Sequence, residues 1–166
     1  MIHDKSAQLI NEQIGHEFSV FYQYIAVSIW CDSEALPEMS KYFAPQADEE
    51  HAHAMKIVKF LGDTNRSVNF LALGAPRSDF KSVEEVVQLT YDQEVKVTEQ
   101  IKAIYDAAAE NNDRVTQNFL QFFIEEQVEE VASMDTLLKI TRRACNDLFR
   151  LKDYIAREGH PDANPA

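Results

Sequence analysis

The sequence predicts an all-α protein: a four-helix bundle with one long crossover connection and a short C-terminal fifth helix. Three observations carry this prediction. Apolar residues recur at helical spacing through four long stretches. Only four glycines and five prolines occur in 166 residues, most of them between those stretches, which leaves little room for a turn-rich β protein. The links between the stretches run short, long, short. The length fits a single domain over residues 1–166, large enough to bury a core without disulfides or structural zinc.

The first helix is expected at about 6–31, with Ile14, Phe18, Phe21 and Ile25 as its apolar stripe. The second, about 37–61, opens at Pro37, where a missing N–H costs nothing, and carries Phe43, Ala47, Ile57 and Leu61 inward. The third, about 82–109, presents Val87, Thr90, Val97 and Ile101, and the fourth, about 113–141, presents Phe119, Phe123, Met134 and Leu137. The bundle thus covers about 6–141. A short amphipathic helix at about 146–157 follows, with Leu148, Leu151 and Ile155 on one side and Gly159 and Pro161 ending it.

Short links make each consecutive pair antiparallel: helices one and two through the run from Asp32 to Pro37, helices three and four through Asn111, Asn112 and Asp113. The segment 62–81, with Gly74, Ala75 and Pro76 inside it, is too long for a bundle turn and has no helical periodicity. A 26-residue helix is ~39 Å long, and about 17 extended residues reach ~55 Å. The segment can therefore span the bundle and leave helices two and three parallel.

Composition excludes several functions. A net charge of -12 argues against nucleic acid, which requires clustered Lys and Arg. Cys31 and Cys145 stand far apart, so no thiolate zinc or iron–sulfur site is expected, and a reducing cytoplasm fits. The first residues lack the basic and apolar regions of a signal peptide, and no apolar run approaches membrane-spanning length. A cytoplasmic protein without a membrane partner is expected.

Each apolar stripe is interrupted by polar groups near its middle. Glu17 and Tyr24 lie seven residues apart within the first stripe. Glu50 and His53 sit at i and i+3 in the second, Glu94 in the third, and Gln127 with Glu130 in the fourth. A lone buried carboxylate costs several kcal/mol, so any one of these could be an edge position reaching solvent. Four together point to a cation held between facing helices. A Glu from each of two helices plus Glu-x-x-His motifs is the di-iron carboxylate pattern, and a mixed carboxylate and imidazole set suits iron or manganese.

The pattern is asymmetric, because Glu50-His51-Ala52-His53 supplies one Glu-x-x-His whereas the fourth helix offers Gln127-Val128-Glu129-Glu130. With that departure the chain resembles bacterial-type non-haem ferritin over essentially its whole length, the short fifth helix included. The set Glu17, Tyr24, Glu50, His53, Glu94, Gln127 and Glu130 is similar to that family's ferroxidase centre, and Glu49, Glu126 and Glu129 to its accessory third iron site.

The resemblance implies that Glu17, Glu50 and His53 hold a first iron, with Glu50 bridging, and that Glu94 and Glu130 hold a second beside Gln127. Tyr24 would act from behind the ligands. It further implies two irons per subunit cycling between Fe(II) and Fe(III), dioxygen or hydrogen peroxide as oxidant, and mineral storage in a cage of 24 identical subunits whose fifth helices meet at four-fold axes. Phe122, Phe149 and Leu151 would be covered between subunits, or else belong to the ordinary core. Haem is not expected. The haem-bearing bacterioferritins place methionine where this chain has His51 and histidine where it has Glu130. His3, His16, His51 and His160 are assigned no site role, and Glu129, off the main stripe, has a solvated helix face as its alternative.

Rival readings are a di-iron redox enzyme of the rubrerythrin or peroxidase type on the same bundle, a twelve-subunit mini-ferritin, and a metal-free structural bundle. The first usually brings a rubredoxin-like cysteine set that is absent here. The second places its ligands between subunits and lacks the fifth helix. The third leaves four mid-core carboxylates unexplained.

Overall fold

The computed structural model describes residues 2–145 and 147–158. Among them are five α-helices and no strand: α1 (Asp4–Ser33), α2 (Pro37–Asp63), α3 (Val83–Glu110), α4 (Arg114–Ala144) and α5 (Leu148–Glu158). The expected start of the fifth helix at Asn146, its stop signals at Gly159 and Pro161, and His160 lie outside the described residues.

Local chemistry sets the helix ends. Ser82 caps α3 by accepting from Glu85 N at 3.2 Å, and Glu85 reaches back to Lys81 N at 2.7 Å. Asp113 caps α4 by accepting from Thr116 N at 3.1 Å. The far ends of α1, α2 and α3 close through left-handed residues Ala35, Asn65 and Asn112, at φ 57°, 58° and 55°. At each, the following N–H bonds five residues back: Leu36 N to Cys31 O at 2.9 Å, Arg66 N to Leu61 O and Asp113 N to Ala108 O both at 2.8 Å. The second helix therefore does not stop before Gly62. Gly62 is helical, and Asn65, which tolerates positive φ, makes the turn.

Contacts between ends fix the topology. His3 N donates to Asp113 Oδ2 at 2.8 Å, and Arg66 pairs with Asp4 at 2.6 Å, which brings the start of α1, the end of α2 and the α3–α4 link to one end. Arg142 pairs with Glu84 at 2.9 Å, placing the end of α4 beside the start of α3 at the other end. Hence α1 and α2 are antiparallel, α3 and α4 are antiparallel, and α2 and α3 are parallel.

The crossover runs along α1 in register, with Phe70 against Phe18 at 6.3 Å between ring centroids and Phe80 against Trp30 at 5.4 Å. Two side-chain amides hold it as a neighbouring strand would. Asn11 bonds both polar groups of the Asn69 backbone, at 2.9 and 2.8 Å, and Gln23 does the same for Arg77 at 2.7 and 2.8 Å.

The core runs the length of the bundle through Ile14, Phe43, Ile57, Leu61, Ile101, Leu120 and Met134, all buried. The stripe of α1 is rotated from the expected one. Its buried ridge is Ile10, Ile14, Glu17, Val20, Tyr24 and Val27, whereas Phe18, Phe21 and Ile25 are half-buried on the flank. Phe18 and Phe21 close over His51 there. α5 packs on α2 and α4. Leu151 is buried within this chain, not held over for a subunit contact, and Ile155 joins it, while Leu148 and Phe149 stay exposed. No helix among the described residues is long and apolar enough to cross a membrane.

Replacing Gln23 with leucine strands the backbone N–H and C=O of Arg77 and is expected to lower unfolding stability by about 2 kcal/mol. Chemical denaturation measures this, and an unchanged midpoint would mean the crossover does not depend on the amide clamp.

Candidate metal centre

The polar interruptions of the four stripes meet near the middle of the bundle. Glu17 and Tyr24 come from α1, Glu50 and His53 from α2, Glu94 from α3, and Gln127 and Glu130 from α4, all buried, with Glu130 the most accessible at 9%. Their ligand atoms form three overlapping groups, each mutually within 4.8 Å: Glu17, Glu50 and His53; Glu50, Glu94 and Glu130; and His53, Glu126 and Glu130. Glu50 is common to the first two groups and Glu130 to the last two.

Distances inside the groups fit a cation better than direct bonds. His53 Nδ1 lies 3.6 Å from Glu50 Oε2 and 4.0 Å from Glu130 Oε1, and His53 Nε2 lies 3.9 Å from Glu126 Oε2. These exceed a hydrogen bond, yet two ligands each about 2.1 Å from one ion stand roughly 3–4 Å apart. Glu17 Oε2 and Glu50 Oε2 are buried with no hydrogen-bond partner among the described residues. Such orphaned oxygens are costly unless something else satisfies them.

The remaining polar atoms are held in place. Gln13, buried one turn before Glu17, donates its amide to Glu17 Oε1 at 2.9 Å. Tyr24 donates its hydroxyl to Glu94 Oε1 at 2.5 Å and stacks on Phe43 at 6.0 Å. Gln127 directs its NH2 at Glu94 Oε2, 3.4 Å away, and at Glu130 Oε2. Its carbonyl accepts from Thr98 Oγ1 at 2.7 Å. Phe122 and Phe123 flank the His53 ring edge-on at 5.9 and 5.5 Å. Gln13 and Thr98 had not been singled out in the sequence. The available signal was a polar residue one helical turn from Glu17 and from Glu94.

No lysine or arginine among the described residues forms a salt bridge with Glu17, Glu50, Glu94, Glu126 or Glu130. Burial first, then the neighbouring carboxylates, holds Glu50 and Glu130 well above the usual carboxylate range. Burial lifts Glu94 to about 7 against the opposing bonds from Tyr24 and Gln127. Burial and the same carboxylates hold the Tyr24 phenol well above its ordinary value, so it stays a donor. Burial lowers His53, outweighing Glu17 and Glu126, and leaves the neutral imidazole a metal requires.

The candidate accessory residues separate. Glu126, half-buried, reaches His53 and Glu130. Glu49 accepts from Gln46 at 2.6 Å and lies near enough to push Glu130 upward, but belongs to none of the three groups. Glu129 is exposed and also outside them. His3 serves as the cap of α1, and His51 packs against Phe18 and Phe21.

The family model of the ferritin-like domain matches residues 7–144. The chain is 40% identical over 150 residues to the ferritin BfrB of Mycolicibacterium smegmatis, covering 90% of this chain and 83% of that one. It is 31% identical over 154 residues to the bacterial non-heme ferritin of Staphylococcus aureus, covering 93% of each. The open-pore ferritin of the archaeon Archaeoglobus fulgidus superimposes with a TM-score of 0.91 at 30% identity, over 95% of this chain and 97% of that one.

The raised carboxyls make stability depend on pH with a definite sign. Glu94, ordinarily near 4.5 and about 7 when folded, stabilises fully below the lower value and loses that contribution as pH rises through the upper one. Glu50 and Glu130, also held above the usual carboxylate range, act in the same direction. His53 works oppositely, but only below its ordinary 6.5. Scanning calorimetry in chelator should show the unfolding temperature falling as pH rises from 6.5 through 7, and a divalent cation should remove the fall.

Proposed function

The chain belongs to the ferritin family, and we propose that it takes up Fe(II) at this cluster, oxidises it with dioxygen or peroxide, and stores the Fe(III) product inside a homo-oligomeric cage of 24 subunits. The observation that carries the reading is the set of three ligand groups sharing Glu50, His53 and Glu130, whose carboxylates have no lysine or arginine partner among the described residues.

Iron is substrate and cargo here. Glu17, Glu50 and His53 hold the first Fe(II). Glu50 also reaches the second, which rests on Glu94 and Glu130 beside Gln127. Two Fe(II) ions supply two electrons; dioxygen with two protons leaves as hydrogen peroxide, or peroxide with two protons leaves as two waters. Anionic carboxylates favour the more highly charged product electrostatically. Tyr24 keeps Glu94 oriented through the 2.5 Å bond. Glu126, with Glu49 and Glu129 further out, forms the third position through which iron leaves toward the mineral. No haem enters this reading.

Glu94, its carboxyl raised to about 7, is part-protonated at neutral pH. Loading the site must expel that proton, because the cation binds the anion. Anaerobic Fe(II) addition at pH 7 should acidify an unbuffered sample in proportion to iron bound, up to the second equivalent.

Support for a cage comes from the relatives and from the surface. Phe70, Leu71 and Leu73 on the crossover, Ile29 on α1 and Phe149 on α5 are exposed in the single chain, apolar surface that contacts between subunits would cover. A stable monomer in sedimentation would defeat this part of the reading.

The chemistry is tested by Glu50→Ala combined with Glu130→Ala. Aerobic Fe(II) oxidation should fall to the rate of free iron in the same buffer, and a rate equal to the parent's would remove the centre. Storage is separated from a rubrerythrin-type or peroxidase-type redox enzyme by final load. Iron that keeps accumulating with each aerobic addition supports storage, whereas a load fixed at two per chain supports the redox enzyme.

A further inference from the structure

Thr98 stands on α3 one turn after Glu94, and its hydroxyl has two neighbours at hydrogen-bond distance. Oγ1 lies 2.8 Å from Glu94 O and 2.7 Å from Gln127 Oε1. A hydroxyl carries one proton and two acceptor lone pairs, so it cannot donate to both oxygens at once. As the Gln127 amide stands, Oε1 takes the Thr98 proton and the NH2 faces Glu94 and Glu130.

The second partner lets the Thr98–Gln127 hydrogen bond persist in the opposite orientation. If Thr98 donates to Glu94 O, as threonine does along a helix, its free lone pair accepts from the Gln127 NH2. Gln127 Oε1 then faces the two carboxylates. No shift of Thr98 is needed, because both distances are already in place. Room for the rotation exists as well, since Thr98 and Gln127 line a groove of about 520 Å³ between α3 and α4, together with Ile101, Ile124 and Val131.

The two orientations suit two occupancies. Without a cation, the NH2 satisfies carboxyl oxygens that have no lysine or arginine partner. With a cation between Glu94 and Glu130, an N–H aimed at it is repulsive, and a carbonyl oxygen is a ligand. We propose that Thr98 is a positioning residue whose hydroxyl reverses between donor and acceptor, letting the Gln127 amide turn over and ligate the second cation through Oε1. This rests on the two-cation reading above. It makes the second position adaptable.

The test is Co(II) titration of the assembled full-length protein, followed by visible absorption, in the parent, Thr98→Val and Thr98→Ser. Valine keeps the shape and removes both hydrogen-bond roles; serine keeps them. The expected result is a second-cation Kd raised about tenfold in T98V, within the range for groups that orient metal ligands, with the first Kd unchanged, and the second Kd restored in T98S. A T98V titration matching the parent overturns the proposal, as does a T98S loss equal to that of T98V. A parent that binds no pair of cations overturns the two-cation reading itself, so the two failures are distinct.

A crystal of the parent with Zn(II) decides independently of how the variants fold. A Gln127 side-chain atom about 2.1 Å from the second ion must be its oxygen and supports the turnover. Two bound ions with the amide beyond ligating distance overturn it.

Discussion

Glu17, Glu50, Glu94 and Glu130 share the buried middle of this bundle with one neutral imidazole and, among the described residues, no lysine or arginine partner. Desolvation opposes ionising Glu50, Glu94 and Glu130, and neighbouring carboxylates add to it. Folding must therefore assemble the cluster against its own electrostatics, with stabilisation drawn from elsewhere. That support is the apolar layers on either side: Phe43, Ile57 and Leu61 along α2, Val97 and Ile101 along α3, and Met134 with Leu137 along α4. Protons neutralise the cluster when no cation does, which is why Glu50, Glu94 and Glu130 are all displaced upward.

Holding such a site open requires four helices whose positions are not negotiable, and the crossover contributes to that. It lets α2 run parallel to α3, so that His53 meets Phe122, Phe123 and Glu126 on α4. A short link there would force α2 and α3 to be antiparallel neighbours. The Asn11 and Gln23 clamps keep the crossover backbone satisfied along α1. Stacking of Phe60 on Phe119 at 3.8 Å closes α2 onto α4 on the Phe119 side of the cluster.

Most of this was legible because two strong periodic signals agree: apolar spacing marks the helices, and polar breaks in that spacing mark the site. Where apolar residues outnumber core positions, phase becomes ambiguous. Helix α1 offers Phe18, Phe21 and Ile25 beside Val20 and Val27, and the choice between the two ridges is made by packing across the bundle. Glu17 and Tyr24 survive the rotation because they sit where the ridges overlap. Helix α2 runs on to Asp63, past the expected 61, because asparagine rather than glycine makes its left-handed turn, at Asn65. Leu151 looks like an outer residue until α5 is folded back over α2 and α4, a tertiary fact that no local pattern carries. Gln13 and Thr98 escaped notice because their partners lie one helical turn away or on another helix.

The cluster is graded as well as lopsided. Along α4 the side chains pass from buried Gln127 and nearly buried Glu130 to half-buried Glu126 and exposed Glu129. A cation loses less hydration at each step outward and is attracted less strongly by a carboxylate in higher dielectric. Under the proposed function that gradient sets the direction of traffic. The innermost groups bind tightly enough to bring two irons together, and the shared ligand Glu130 joins them to the His53–Glu126 group nearer the surface. A second Glu-x-x-His on α4 would replace Glu130 with a neutral imidazole and remove that shared carboxylate. Under the proposed function, the departure from symmetry is thus the feature that connects the inner pair to an exit, which a storage protein needs and a resident di-iron cofactor does not.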